Sequence, residues 1–309
     1  MIIVSLTTIP PRLPNIKDTI NSILDQSIKP NNIVLNLPLK YNNYSNDFKI
    51  EEFSNKSIII NRCIDYGPAT KLLGLYTCPL FKKLKDEDLI IIIDDDRNYD
   101  KKLIERLIYS FQNKKCVITN IGASINGLTN GILNSKSLKK GHCDILFGCG
   151  GYLLKKKMCP FNKEIFELNH NDEKYYVDDV WISGFLKFNN YNIYNIGTRD
   201  PKRNKNDKIS MLWDSRRLDK NITCIKYFRK KYKIWESITL EREVTDRFHL
   251  KYSILKVLKK NCFSKINLNQ ISLNNFNFYF IIISIFLIFF IFFIYIFNDY
   301  NIFPFNIYI

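Results

Sequence analysis

The stretch MIIVSLTTIPPRLPNIKDTINSILDQSIKPNNIVLNLP, residues 1–38, decides the fold. Its apolar start breaks at Pro10 and Pro11, which indicates a buried first strand that ends in a turn. Isoleucines and a leucine then recur at helical spacing from residue 16 to 24, and NNIVLNLP (31–38) indicates a second strand. A strand, a helix and a strand in such a short stretch form a βαβ unit, which predicts a parallel sheet.

The same alternation continues along the chain. Strands are predicted in 56–62, 88–94, 115–122 and, broken by glycines, 146–160. Helices are predicted in 69–81 and 101–111, and another begins near the acidic pair of 175–197. We therefore predict an α/β fold with a mostly parallel sheet flanked by helices, whose ligands bind at the carboxyl ends of the strands. Residues 200–250 are basic and show no clear pattern.

Composition narrows the class of protein. The net charge is +16, but the basic residues are spread along the chain without a basic motif interleaved with aromatic residues, so we expect no nucleic-acid partner. The eight cysteines are scattered without a CxxC pair, which favours free thiols in a reducing compartment. Attraction to anionic lipid or nucleotide is the expected use of the excess charge.

Residues 278–297, FYFIIISIFLIFFIFFIYIF, are uncharged. A helix of this length spans about 30 Å, the thickness of a hydrocarbon core. We predict a catalytic domain at 1–250, a basic juxtamembrane segment at 251–275, a transmembrane helix at 276–297 and a short tail at 298–309. Because the lysines lie on the N-terminal side of the apolar run, the positive-inside rule predicts a single-pass C-terminal anchor with the catalytic domain on the cytoplasmic side.

Two polar stretches follow predicted strands and are candidates for binding a phosphorylated donor. After the first strand, hydroxyls and a guanidinium would contact a phosphate or a base. The second stretch makes a tight turn and opens a helix, which aims backbone N–H groups and a lysine into the same crevice. These candidate donor-binding residues are Thr7, Thr8, Arg12, Asp65, Tyr66, Gly67, Pro68 and Lys71.

Two acidic stretches complete the candidate site. Asp94, Asp95 and Asp96 end an apolar strand; Asp94 and Asp95 are further donor-binding candidates, and Asp94 and Asp96 are the candidate ligands of Mg²⁺ or Mn²⁺. Asp178 and Asp179 precede a helix, where one carboxylate would act as general base; the structural alternative is helix capping. The acceptor-binding candidates are Gly150, Gly151 and Trp181, which would allow close backbone approach and aromatic stacking.

Taken in order, VSLTTIPPR (4–12), DYGPATK (65–71), the acidic triplet, GGY (150–152) and DDVW (178–181) resemble glycosyltransferases of the GT-A fold, family 2-like and of the Asp-x-Asp type. The resemblance covers roughly residues 1–200. It implies a Rossmann-like nucleotide-diphospho-sugar transferase fold, a nucleotide-sugar donor and a divalent metal held through Asp94 and Asp96. In inverting members it implies a carboxylate base near Asp178 and Asp179.

These observations predict a metal-dependent, membrane-anchored hexosyltransferase that moves a sugar from a nucleotide-sugar donor to an acceptor hydroxyl, with Asp179 as base and Asp178 as second choice. Whether the acceptor is a glycan, a protein or a lipid stays open, and inversion is only favoured. One alternative is a nucleotidyltransferase on a similar sheet, although LTTIPPR lacks the glycines of a phosphate loop. The other is a catalytically inactive, membrane-tethered module that binds nucleotide or glycan.

Overall fold

The structure, a computed structural model, describes residues 1–45, 55–129, 139–159, 163–167, 170–198, 201–204 and 217–238. The predicted juxtamembrane segment 251–275, the transmembrane helix 276–297 and the tail 298–309 lie outside the described residues. Among the described residues, no helix combines the length and the apolarity that a membrane crossing needs.

Helices and strands alternate along the described residues. The strands are β1 (Ile2–Thr7), β2 (Asn32–Pro38), β3 (Ile58–Cys63), β4 (Leu89–Ile92), β5 (Arg97–Asn98), β6 (Val117–Thr119), β7 (Gly122–Ala123), β8 (Gly141–Cys143), β9 (Ile145–Leu146), β10 (Tyr152–Lys155), β11 (Ile193–Asn195) and β12 (Lys202–Arg203). The α-helices are α1 (Ile16–Leu24), α2 (Thr70–Leu73), α3 (Pro79–Lys83), α4 (Leu103–Lys114), α5 (Ile125–Thr129), α6 (Asp178–Phe188) and α7 (Arg217–Tyr232).

Among the described residues, the central sheet contains eight strands in the order β3-β2-β1-β4-β10-β6-β11-β8. Strand β1 is parallel to β2 and β4, β2 is parallel to β3, and β6 is parallel to β11. Strands β10 and β8 run against their neighbours. The predicted mostly parallel α/β sheet is therefore confirmed and fits the GT-A expectation, with β10 as an antiparallel strand in its middle that the sequence pattern did not predict.

The hydrophobic core lies between the apolar strands of the sheet and the apolar faces of the helices that cover it. In β4 the side chains of Ile90, Ile91 and Ile92 are fully buried, as expected for a central strand with helices on both faces. In α1 the isoleucines 16, 20 and 23 face the core, and burying each one contributes roughly 1.5–3 kcal/mol. The sheet is thus a rigid support for the polar residues that follow its strands.

Two predicted elements differ from the structure. The helix predicted at 69–81 is divided into α2, a 3-10 turn at Gly74–Thr77 and α3. The division has a local cause, because Pro79 restricts the residue before it and Cys78 is extended (ψ 128°). The basic stretch without a clear pattern contains α7, whose buried Cys224, Ile225 and Phe228 are too few to dominate its sequence.

Candidate active site

The register of three neighbouring strands explains why distant polar residues meet at one edge of the sheet. Ser5 of β1 and Tyr152 of β10 both pair with Ile92 of β4. The acidic triplet that follows β4 therefore lies beside the residues that follow β1. It also lies beside the 3-10 turn Gly148–Gly150, because β10 runs in the opposite direction. The edge is the one where ligands of such sheets bind.

A buried lysine holds the carboxylates of this edge together. Lys71 Nζ lies 2.6 Å from Asp94 Oδ1 and 2.8 Å from Asp178 Oδ2. Lys71 is only 4% exposed and Asp178 only 2%. Burial would lower the pKa of Lys71, but Asp178, Asp94 and Asp179 outweigh it and raise the pKa well above its ordinary value, so the ammonium stays charged. We call Lys71, Asp94, Asp178 and Asp179 the Lys71 cluster.

Asp179 has a different hydrogen-bond partner from Asp178, its neighbour in the same helical turn. Its Oδ1 accepts a hydrogen bond from the backbone N–H of Gly148 at 3.0 Å. Burial, and then the charge of Asp178, raise the pKa of Asp179 to about 7 against the pull of Lys71. A carboxylate with this pKa can both accept and release a proton near neutral pH.

Asp178 and Asp179 do not cap α6. The N-cap residue is Val177, which makes no side-chain hydrogen bond to the helix, and the two aspartates are the first helical residues. In the first turn their charges are favoured by the helix dipole, worth roughly 0.3–1 kcal/mol. The contacts shown for the pair, to Lys71 and to Gly148, connect it to the site, so capping does not explain these two residues.

A second group of charges surrounds the remaining two aspartates of the triplet. Asp95 accepts hydrogen bonds from Thr8 Oγ1 at 2.5 Å and from Arg12 at 2.8 Å. Asp96 lies 3.3 Å from Arg97, 3.6 Å from Arg12 and 3.7 Å from Arg203. We call Arg12, Arg97, Arg203, Asp95 and Asp96 the arginine cluster. Burial raises the pKa of Asp95 to about 6, although Arg12 opposes this.

The two carboxylates predicted to bind a metal ion, Asp94 and Asp96, contact different cationic side chains. Asp94 faces Lys71, whereas both oxygens of Asp96 face guanidiniums, so the two carboxylates are not directed at one common position. Within the described part of the chain, no group of three or more His, Cys, Asp or Glu side chains is placed to hold a metal ion. The described residues therefore do not fit a divalent ion shared by Asp94 and Asp96. Binding of Mn²⁺ or Mg²⁺ stays a prediction.

Several site residues were not predicted from the sequence. Tyr99 holds the backbone of the triplet, because its hydroxyl accepts from Asp94 N at 3.0 Å and donates to the carbonyl of Cys149 at 3.2 Å. Arg217, the first residue of α7, lies close enough to Asp94 and Asp179 to lower the pKa of both. Only Arg97 had a signal in the sequence, its place directly after the triplet.

Most residues of the turn DYGPATK (65–71) connect neighbouring segments of the fold instead of contacting the charged cluster. Asp65 accepts from the N–H groups of Gly67 and Asn42 and lies 3.2 Å from the hydroxyl of Tyr175. Gly67 has φ +59°, and a Cβ there would lie 2.3 Å from the Tyr175 ring, so only glycine fits. Tyr66 packs its ring edge-on against Phe166. Of this stretch, Lys71 is the residue that contacts the charged cluster, and Pro68 lies in the 3-10 turn Gly67–Ala69 that precedes it.

The residues predicted after the first strand, Thr7, Thr8 and Arg12, also have different roles: two contact the site and one joins neighbouring strands. Thr8 and Arg12 contact Asp95, as the common sheet edge predicted. Thr7 instead donates to the carbonyl of Asn36 on β2. Its role is therefore to join two strands at the rim of the site.

The predicted acceptor-binding residues are packing residues in the structure. Trp181 is 2% exposed and packs among Phe185, Tyr227 and Phe228 through edge-on and tilted ring contacts, which corrects the expectation of a ring open to an acceptor. A Cβ on Gly150 would meet Ile121 at 2.8 Å, so this glycine permits a close contact within the core. Gly151 has φ +83° and turns the chain into β10.

Comparisons with known proteins find likeness in structure only. No family model matches the chain, and no curated protein matches it. The structure of S. aureus TarS 1–349 in complex with UDP-GlcNAc is 13% identical, covers 76% of this chain and 68% of that one, and gives a TM-score of 0.46. The same protein in complex with UDP is 11% identical, with 87% and 76% covered and a TM-score of 0.46.

A third similar structure is the mannosyltransferase PcManGT from Pyrobaculum calidifontis in complex with GDP-Man and Mn²⁺. It is 11% identical, covers 63% of this chain and 54% of that one, and gives a TM-score of 0.39. At these identities and TM-scores the likenesses assign no function to this chain.

Proposed function

We propose that this chain is a glycosyltransferase that moves a sugar from a nucleotide-sugar donor to an acceptor hydroxyl. The observation that carries the proposal is the Lys71 cluster: one buried ammonium holds Asp94 and Asp178, and Asp179 beside them has a pKa of about 7. Perturbed carboxylates at the ligand-binding edge of an α/β sheet are typical of catalytic sites.

In the proposed reaction Asp179 is the general base. The acceptor hydroxyl gives its proton to the Asp179 carboxylate while its oxygen forms a bond to the anomeric carbon of the sugar. The bond from that carbon to the diphosphate oxygen breaks, and the electron pair leaves with the nucleoside diphosphate. A single displacement of this kind inverts the anomeric centre. Asp178 is the poorer base because Lys71 holds its carboxylate at 2.8 Å.

The departing diphosphate requires positive charge, which the chain supplies from its own side chains. Arg12, Arg97 and Arg203 surround the end of the triplet, and Arg217 lies near Asp94 and Asp179. Guanidiniums bind phosphate oxygens through paired N–H groups. A divalent ion, when bound, would also neutralise a diphosphate. No step is assigned to one, because Asp94 and Asp96 face different cations.

We further propose, from the sequence alone, that the chain is anchored to a membrane by residues 276–297 and that residues 1–250 face the cytoplasm. The uncharged run at 278–297 and the lysines that precede it support this placement. An anchored enzyme would meet membrane-bound acceptors at high local concentration.

The proposal is tested with the full-length chain and a panel of UDP- and GDP-sugars, with and without Mn²⁺, by measuring release of nucleoside diphosphate. We expect release from at least one donor, and its loss in Asp179→Asn. The matched control is Asp86→Asn, an exposed aspartate at a distance from the site. Release that survives Asp179→Asn, or no release from any donor, would contradict the proposal. Pyrophosphate formed from a nucleoside triphosphate and a sugar phosphate would favour the nucleotidyltransferase alternative.

A further inference from the structure

Tyr99 follows the acidic triplet and is buried, with 3% of the residue exposed. Its ring belongs to the hydrophobic core, and its backbone N–H donates to Ser22 Oγ of α1 at 3.1 Å. A phenylalanine would supply the same ring packing, so the hydroxyl is the part of this side chain that requires an explanation. A buried hydroxyl costs free energy unless it forms hydrogen bonds. Its partners therefore show which parts of the chain it holds together.

The hydroxyl of Tyr99 joins two separate segments of the site. It accepts from the Asp94 N–H at 3.0 Å and lies 3.2 Å from the carbonyl oxygen of Cys149 and 3.4 Å from that of Asp94. A phenol has one proton to donate, and the carbonyl of Cys149 is the nearer acceptor. Asp94 follows β4, whereas Cys149 is the central residue of the 3-10 turn Gly148–Gly150 before β10. The hydroxyl thus connects the backbone of the acidic triplet to this turn.

The 3-10 turn Gly148–Gly150 carries the N–H group that contacts the proposed base. Two backbone hydrogen bonds at the turn, of 2.9 and 3.2 Å, fix its local shape. Glycines have wide conformational freedom, so the place of the turn beside the sheet depends on contacts with other segments. Tyr99 makes such a contact at the Cys149 carbonyl, and Asp179 makes another at the Gly148 N–H. A shift of the turn would therefore change the hydrogen bond to Asp179.

We infer that Tyr99 is a positioning residue of the site, whose hydroxyl holds this turn in place and so directs the Gly148 N–H at Asp179 Oδ1. Tyr99 acts through the turn and contacts no reacting atom. A hydrogen bond donated to a carboxylate stabilises its charged form, which is the form that accepts the proton of the acceptor hydroxyl. This role rests on the proposed function, in which Asp179 is the general base.

The kinetic test uses Tyr99→Phe in the full-length chain, which removes the hydroxyl and keeps the ring. We expect kcat to fall about tenfold and the donor KM to stay within about twofold, because a shifted turn disturbs the base but leaves the guanidiniums around the triplet in place. Tyr191→Phe is the matched control. Its hydroxyl also donates to a backbone carbonyl, that of Lys157 at 3.0 Å, but at the opposite edge of the sheet. A change in KM alone, or equal effects of the two variants, would overturn the role.

A second measurement needs neither donor nor turnover, so it separates this role from a failure of the proposed function. NMR of ¹³C-labelled aspartate follows the titration of the Asp179 carboxyl, and Asp179→Asn assigns its signal. In Tyr99→Phe a weakened hydrogen bond to the carboxylate should move the midpoint to higher pH by about 0.5–1. The strongest charged influences on this carboxyl are retained in the variant; they are Asp178, Lys71, Asp94 and Arg217.

A midpoint that stays at the wild-type pH in the folded variant would overturn the positioning role of Tyr99. If the midpoint rises and the wild-type chain consumes no nucleotide sugar, Tyr99 positions Asp179 as inferred and the transfer reaction is the part that fails. If both measurements change as expected, the hydroxyl acts on the base itself. A general loss of stability would lower the amount of folded enzyme without moving this midpoint.

Discussion

Lys71 Nζ lies 2.8 Å from Asp178 Oδ2, and both side chains are almost wholly buried at the edge of the sheet. One residue follows β3 and the other begins α6, so this ion pair fixes the helix to the sheet at the point where the charged residues meet. A buried pair contributes little net stability when complete, but removing one partner leaves an uncompensated charge. Substitution of either residue alone should therefore lower the stability of the fold.

We expect Lys71→Met to lower the free energy of unfolding by about 3–5 kcal/mol, because Asp94 and Asp178 would lose their common counter-ion. Denaturant unfolding measures the change. Lys101→Met is the control, since Lys101 is exposed and pairs with the exposed Asp25, an interaction worth about 0–1 kcal/mol. The double variant Lys71→Met/Asp178→Asn should recover part of the loss. Equal effects of the two lysine substitutions would show that the buried pair has no special role.

Asp179→Asn should lower sugar transfer by about 10²–10⁴-fold, the usual contribution of a general base. Donor binding, measured by calorimetry with the nucleotide sugar, should persist because the positive residues around the triplet are unchanged. Asp178→Asn is the matched comparison in the same helical turn and should lower transfer less. A larger loss in Asp178→Asn would exchange the two roles, and a collapse of donor affinity in Asp179→Asn would place that residue in the donor site.

The pH dependence of kcat/KM should follow Asp179. Its pKa is raised to about 7, so below this pH the carboxyl is protonated and cannot accept the acceptor's proton. The rate should therefore rise about tenfold per pH unit up to about pH 7 and then level off. Because the charge of Asp178 helps to raise this pKa, Asp178→Asn should move the rising limb to lower pH. A limb that stays in place would show that another group controls it.

Removal of residues 276–309 should release the protein from membranes into the soluble fraction. The run at 278–297 is uncharged, and Ser284 is its only residue outside the aliphatic and aromatic types. In the intact protein, a tag at Met1 should be digested by protease added from the cytoplasmic side. Fractionation and protease protection measure both outcomes. A truncated protein that remains on membranes, or a protected tag, would contradict the anchor or its orientation respectively.

Local pattern was sufficient to predict the first βαβ unit and the meeting of Thr8, Arg12 and Lys71 with the acidic triplet. Each of these residues follows a strand, and parallel strands place their carboxyl ends at one edge whatever the rest of the chain does. The start of α6 at the acidic pair was predicted from a different local signal, the apolar periodic run that follows it directly.

The partners of the carboxylates depend on contacts that no local pattern contains. Arg203 reaches Asp96 because β12 pairs with β5, two strands of two residues each. Such short strands leave almost no signal in the sequence. A tryptophan in this sequence position is compatible with either core packing or sugar binding. The structure shows packing, because Tyr227 and Phe228 of α7 cover the Trp181 ring. The helix α7 itself has too few apolar residues to be recognised.

Gly148→Ala should disturb the Lys71 cluster directly. A Cβ at this position would lie 2.5 Å from Lys71 Nζ and 2.8 Å from Asp94 Oδ1, both closer than real Cβ contacts. The end of a lysine side chain usually moves aside at little cost, but here it is held by Asp94 and Asp178 within a buried site. Displacement would lengthen both ion pairs and move the Gly148 N–H that donates to Asp179.

We therefore expect Gly148→Ala to lower kcat by about 10–100-fold, because displacements of about 1 Å at a reaction centre have effects of this size. It should also lower the midpoint of thermal unfolding. Cys149→Ala is the control in the same turn, since it removes a thiol and adds no atom beside Lys71. Transfer kinetics and thermal unfolding of the two variants, measured in parallel, separate the effects. If Gly148→Ala retained full activity, the ammonium of Lys71 would have room to move, and its fixed position could not be what the reaction requires.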